Sequence, residues 1–265
     1  MKKVLTIAGF DPCGGAGIAA DLKTFQTRGV YGMGVATAVT AQNTAIYQGT
    51  FPIAPRFVGL QIDSIMDDIG ADVWKTGMLV NAHIIRTVAQ KIKHYTIKKV
   101  IVDPVIVSKT GRRLLTKDGQ SILAKYLLPL TYIITPNIDE AKAMTGIAIQ
   151  NVADIKKAAI MLHKMGARNV VIKGGHLNKV RSSPVTDILF DGKRFYEFRS
   201  PFINTHNTHG TGCVFASCLA AEIAKEKTVR AAVLTAKRYI TEMLKRSKRE
   251  KIGQGNGPLL HHHGA

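Results

Sequence analysis

The sequence predicts an α/β protein with a mainly parallel central sheet flanked by helices. Three observations carry this. Short apolar, β-branched runs alternate with amphipathic segments along the chain. Polar and glycine-rich residues gather just after the strand candidates, where ligands bind open α/β sheets. No linker-like tract, low-complexity segment or internal repeat divides the 265 residues, so one domain over residues 1–265 is expected.

The elements follow in order. Val4–Ala8 reads as a strand ended by glycines, and Ile18–Thr27 as the helix after it. Gly34–Thr40 is a strand pattern and Phe57–Ile69 a helical one. Val73–Thr76 leads into a turn at Gly77, and Asn81 is placed to cap a helix reaching Lys93. Lys99–Val102 is β-branched and stops at Asp103-Pro104; Tyr132–Thr135 stops at Pro136. Ile138–Thr145 and Asp154–Lys164 read as helices. Asn169–Ile172 runs as a strand into Lys173-Gly174-Gly175. Thr186–Phe190 and Arg194–Arg199 flank Asp191-Gly192, a hairpin turn. Gly212–Lys225 and Val229–Lys245 close the chain as helices.

Composition narrows the function. An apolar fraction of 46% and a charged fraction of 21% are ordinary for a globular protein and exclude a disordered one. No run approaches the roughly 18 apolar residues of a membrane span, so no membrane partner is expected. The net charge of +19 favours anionic ligands. Lys225 to Lys251 holds ten basic and three acidic residues, with Tyr239 as its one aromatic. It reads as a solvated helix face rather than a nucleic-acid stacking platform. Three cysteines, Cys13, Cys213 and Cys218, show neither disulfide-framework nor zinc spacing. Asp11 interrupts the apolar run after Met1-Lys2-Lys3 too early for a signal peptide, so a cytoplasmic protein with reduced thiols is expected.

Five stretches can carry chemistry. Gly14-Gly15-Ala16-Gly17 before a helix lets backbone approach a ligand, or is simply a tight turn; it lacks the lysine of a Walker A loop. Asn207-Thr208-His209-Gly210-Thr211-Gly212-Cys213 before an Ala-rich helix suits an anion, because helix N-terminal N–H groups converge there. A cysteine at that place is expected to have a lowered pKa, unless it is only a buried thiol. Asn137 and Glu140 share a helix face and offer oxygens to Mg²⁺, or form a capping box. Asp103 and Lys173 end strands, where a carboxylate and an ammonium suit metal and phosphate. Gln42 in Gln42-Asn43-Thr44 can donate to and accept from a nitrogen heterocycle, or belong to a polar turn.

Taken together, these motifs resemble the bacterial hydroxymethylpyrimidine/phosphomethylpyrimidine kinases. The likeness is carried by Thr6-Ile7-Ala8-Gly9, Gly14-Gly15-Ala16-Gly17-Ile18, Ala20-Asp21-Leu22-Lys23-Thr24-Phe25, Thr40-Ala41-Gln42-Asn43-Thr44 and Lys75-Thr76-Gly77-Met78-Leu79. Asp103-Pro104-Val105, Lys173-Gly174-Gly175-His176 and the Asn207–Cys213 run complete it, in order, from Leu5 to about Pro258. The resemblance implies a ribokinase-like three-layer sandwich, usually a homodimer. It implies an ATP- and Mg²⁺-dependent kinase of thiamine biosynthesis that phosphorylates 4-amino-5-hydroxymethyl-2-methylpyrimidine and then its monophosphate.

The resemblance also implies roles. Gln42 would bond the aminopyrimidine edge; Gly9, Ala16, Met78 and Val105 would line the ring pocket, with Asp21 nearby. Gly210, Thr211 and Gly212 would form the anion hole, and Cys213 would stand where sugar kinases keep an aspartate base. Asn137, Glu140 and Asp103 would organise Mg²⁺ and its waters, and Lys173 would neutralise ATP phosphate. The chain departs from the family at Phe10, Pro12 and Cys13, where serines are usual, at Ala19, where glutamine is usual, and at Arg112, where an acid is common. Arg112, with Lys109 and Arg113, is expected to clamp phosphates from a loop. The nearest rival is a pyridoxal or pyridoxine kinase, or dual activity; Gln42 favours the pyrimidine. A basic, non-catalytic nucleic-acid-binding protein has only the charge behind it.

Overall fold

The computed structural model describes residues 1–107, 111, 113–175 and 184–261. Lys109, Arg112 and His176 therefore lie outside the described residues. Among those described, nine strands form one sheet: β1 (Lys3–Phe10), β2 (Tyr31–Gln42), β3 (Tyr47–Pro52), β4 (Val73–Thr76), β5 (Val100–Val102), β6 (Ile133–Ile134), β7 (Asn169–Ile172), β8 (Val185–Phe190) and β9 (Phe195–Ser200). The spatial order is β3-β2-β1-β4-β5-β6-β7-β8-β9. The six strands from β2 to β7 in that order pair in parallel. The outer strands β3, β8 and β9 pair antiparallel.

The helices are α1 (Gly17–Thr27), α2 (Pro55–Met66), α3 (Ala82–His94), α4 (Lys117–Ile122), α5 (Ile138–Thr145), α6 (Val152–Lys164), α7 (Thr211–Ala224) and α8 (Val229–Ser247). Side chains that alternate along a strand separate them into two layers. Val100, Val102, Val170 and Ile172 pack toward the layer of α2, α3, α5 and α6. Ile101, Ile133 and Val171 pack toward α7 and α8. Helix α7 is buried from Val214 to Ala224, as its nearly unbroken apolar sequence requires.

Two elements escape the sequence pattern. Strand β3 contains Gly49 and Pro52 and has no buried residue, so no apolar face marks it; an edge strand tolerates the proline. Helix α4 runs through a π turn at Leu123–Leu127 into a 3₁₀ turn at Leu128–Leu130, with Gly119 and Pro129 breaking the helical period. The hairpin turns at Asp191-Gly192, with Gly192 at φ +91°, as read from the sequence.

Strand order reverses at β1. The chain steps from β1 to β2 on one side and returns to β4 on the other. The carboxyl ends of β1 and β4 thus diverge and leave a crevice, the usual ligand site of a doubly wound sheet.

Candidate active site

A cavity of about 220 Å³ opens at these carboxyl ends. Gly9 and Gln42 reach it from the ends of β1 and β2, Met78 from the turn after β4, and Asp103 and Val105 from the end of β5. Glu140 enters from the first turn of α5, Lys173 from the end of β7, and Gly210–Cys213 from the start of α7. Ala16 lines it from the loop before α1. The sheet thus gathers residues spread over two hundred positions.

Asp21 is a correction. One turn into α1, it faces the sheet surface rather than the sheet end, and it is fully buried away from the cavity. Thr6 Oγ1 and Lys75 Nζ donate to its Oδ2 at 2.6 and 2.7 Å, and Ser217 Oγ donates to Oδ1 at 2.6 Å. It ties β1, β4 and α7 together beneath the site.

The Gly210–Cys213 loop depends on glycine. Gly210 caps α7 in the left-handed region, φ +78°, and a methyl group there would collide with the Gly15 carbonyl. The two glycine loops are therefore pressed together. A methyl on Gly212 would lie 3.3 Å from Lys173 Nζ and 3.6 Å from Asp103 Oδ2, so the first turn of α7 sits directly over that ion pair.

Cys213 reverses the expected pKa. Burial pushes its thiol up to about 11, while Lys75 and the Gly17 N–H pull it down without prevailing. Asp21 and Asp103 add to the rise. The helix start alone suggested a thiolate; desolvation and two carboxylates outweigh it.

Asp103, Glu140 and Lys173 form one charged cluster. Lys173 Nζ donates to Asp103 Oδ1 at 3.0 Å, and Thr135 Oγ1 donates to the same oxygen at 3.2 Å. Burial raises the Glu140 carboxyl to about 7, against the Lys173 charge and with the help of Asp103. Asn137 and Glu140 form the capping box: Glu140 N donates to Asn137 Oδ1 at 2.9 Å, and Asn137 N to Glu140 Oε2 at 2.8 Å. The Asn137 oxygen is thereby committed to the helix. Glu140, raised to about 7, gives up its proton readily to a cation that joins it and Asp103, and the hard oxygens of the two carboxyl groups fit Mg²⁺ held directly or through water.

A second cavity of about 230 Å³ adjoins the first and shares Lys173, Thr211 and Gly212 with it. Asn137 lines this second cavity, as does an ion pair the sequence did not reveal, Lys237 Nζ to Asp187 Oδ2 at 2.9 Å. The rim of the first holds other unanticipated residues. His209 Nε2 lies 2.8 Å from Asp11 Oδ2. The C-terminal segment straps the rim, with Asn256 N donating to Thr44 O at 2.8 Å and His209 N to Gly257 O at 3.0 Å. Only tertiary structure brings Asn256 to Thr44; no local pattern could. Arg113, expected to clamp phosphate, donates instead to Leu115 O and Gln120 Oε1.

A family model described as phosphomethylpyrimidine kinase matches residues 11–260. The chain belongs to that family. It is 46% identical to the hydroxymethylpyrimidine/phosphomethylpyrimidine kinase of Bacillus subtilis over 98% of this chain and 95% of that protein. It is 47% identical to the thiamine biosynthesis bifunctional protein of Geobacter sulfurreducens, over 97% of this chain. The chain spans about half the length of that relative, 52%. A solved structure of Bacillus subtilis pyridoxal kinase with ADP superposes with a TM-score of 0.88 at 39% identity, covering 98% of this chain and 97% of that one. The ribokinase-like α/β fold and the reading of the sequence as a kinase of this family are borne out.

Proposed function

We propose that this kinase, working as one domain, transfers phosphate from ATP to 4-amino-5-hydroxymethyl-2-methylpyrimidine and then to the resulting monophosphate. The observation that carries this is the pair of cavities meeting at Lys173, Thr211 and Gly212. The pyrimidine occupies the first, with Gln42 on its amino edge and Gly9, Ala16, Met78 and Val105 around the ring. The nucleotide occupies the second, and its terminal phosphate lies at the junction.

The residues at the junction suit phosphoryl transfer, which needs positioning and charge stabilisation more than covalent chemistry. The backbone of Gly210–Gly212 at the start of α7 would hold the transferring group, and Lys173 would neutralise it. Asp103 and Glu140 would hold Mg²⁺, which supplies further charge neutralisation of the phosphate chain. Cys213, a neutral thiol at rest, does not repel an incoming phosphate. It relays the alcohol proton as the new bond forms, passing its own proton to an oxygen of the transferring phosphate while it accepts the proton of the alcohol. The monophosphate, with its second pKa near 6, arrives mostly ionised and needs no base.

Product analysis with ATP and Mg²⁺ tests the assignment, offering the pyrimidine and pyridoxal separately. Diphosphate from the pyrimidine supports it; monophosphate alone, with faster turnover of pyridoxal, replaces it with a vitamin B6 kinase. The likeness to a pyridoxal kinase makes that second reading specific. In the same assay Cys213→Ala is expected to slow the first transfer more than the second. Equal losses would remove Cys213 as the proton relay. We further infer a cytoplasmic homodimer with no nucleic-acid partner. Val39 and Phe51, exposed partners across β2 and β3, offer a second copy an apolar edge.

A further inference from the structure

We propose that Asp11, Cys13 and His209 bind one thiophilic divalent cation, such as Zn²⁺, at the rim of the substrate cavity, with one coordination position open toward it. One ligand atom from each residue lies within 4.8 Å of the others. Asp11 Oδ2 is 2.8 Å from His209 Nε2 and 3.3 Å from Cys13 Sγ. Zinc holds nitrogen and oxygen near 2.0–2.2 Å and sulfur near 2.3 Å, so tetrahedral donors stand roughly 3.2–3.8 Å apart. The three side chains need only spread or close by less than about an ångström to accept the ion.

The donors are held in place by backbone. Cys13 N donates to Asp11 Oδ1 at 3.0 Å and Ala16 N to Asp11 Oδ2 at 2.9 Å, outer contacts of the kind that orient a metal-binding carboxylate. Any side chain at Gly15 would strike the His209 imidazole, so that glycine is what lets the ring reach Asp11. Asp11 and His209 both line the substrate cavity, which places the fourth position on that side. A sulfur, a nitrogen and an oxygen select Zn²⁺ over Mg²⁺, whereas the all-oxygen Asp103 and Glu140 pair suits a hard cation such as Mg²⁺. The molecule thus carries two cation preferences at one cavity. Lys23 Nζ, bonded to the Gly14 carbonyl, is the charge that opposes the ion.

Binding is a ligand exchange without redox change. The Cys13 thiol releases its proton to solvent and the thiolate bonds the metal. A proton on His209 Nε2 moves to Nδ1, and the freed Nε2 lone pair becomes the second ligand. The Asp11 carboxylate gives up the hydrogen bonds from both side chains and becomes the third.

Cobalt(II) titration of the chelator-stripped full chain, in a phosphine reductant, tests this. One equivalent is expected to produce a near-ultraviolet thiolate-to-cobalt band that Zn²⁺ abolishes. Cys13→Ser preserves a donor to Asp11 and so keeps the loop. It is expected to lose the band and to weaken cobalt binding about 100-fold or more, beyond the loss caused by an outer-shell change. Cys213→Ser is expected to keep both. No saturable band in the wild type, a band that survives Cys13→Ser, or one that disappears in Cys213→Ser would each overturn the site.

Discussion

Two carboxylate–lysine pairs are built from the same chemistry, one buried away from the cavity and one opening onto it. Asp21 and Lys75 are both 0% exposed, 2.7 Å apart, and Thr6 and Ser217 complete the carboxylate's bonding. Asp103 and Lys173 are 3% and 17% exposed, 3.0 Å apart, and face the junction of two cavities under Gly212. The first pair is sealed among side chains that satisfy it. The second keeps an opening where an anion or a cation can join. Position relative to the strand ends, rather than residue type, decides which pair is closed off and which stays open to a ligand.

The largest expected effect comes from breaking the sealed pair. Lys75→Met leaves the Asp21 carboxylate buried without its cation, at a cost of about 3–5 kcal/mol. Urea unfolding measures this, and the double variant Lys75→Met, Asp21→Asn is expected to recover part of the loss. A full 3 kcal/mol remaining in the double variant would show that Lys75 packs rather than pairs. Breaking the open pair acts elsewhere. Lys173→Met is expected to lower kcat/KM by about 10²–10³, the scale of losing one preorganised charge, with a smaller change in unfolding midpoint than Lys75→Met. If Lys173→Met proved the less stable variant, the contrast between the pairs would collapse.

The same contrast explains what the sequence could reveal. Alternating β-branched runs made the parallel strands legible, and the glycines and polar residues after them marked the cavity. Gly9, Gln42, Met78, Asp103, Lys173 and the Gly210–Cys213 loop all arrive there. Asp21 was misplaced because helical phase shows that a residue faces inward, not whether it faces core or cavity. The Cys213 pKa was reversed because a helix start is visible locally, whereas Asp21 and Asp103 approach it only through the fold. The pairing of Asp11 with His209, 198 positions apart, and the contact of Asn256 with Thr44 had no local signal at all. Strand β3 was missed because an exposed edge carries no apolar face.

A third buried acid sharpens the comparison with a smaller effect. Glu222, near the end of α7, is 0% exposed like Asp21, but its partners Arg28, Lys225 and Lys227 are 24%, 31% and 42% exposed. Burial pushes its carboxyl up, yet hydrogen bonds from Lys225, Lys227 and Arg28 hold it at about 2, below its ordinary 4.5. A depressed carboxyl stabilises fully above its unfolded pKa and loses that contribution as pH falls through the folded one. Because water screens the partners, Glu222→Gln is expected to cost about 1–2 kcal/mol at pH 7, less than Lys75→Met. The gap between variant and wild type should narrow below pH 4.5 and close toward pH 2. Urea unfolding at pH 7, 4 and 3 measures it. A gap that stays constant over that range would mean that the amide disturbs packing rather than charge. Exposure of the partners would then no longer grade these buried acids.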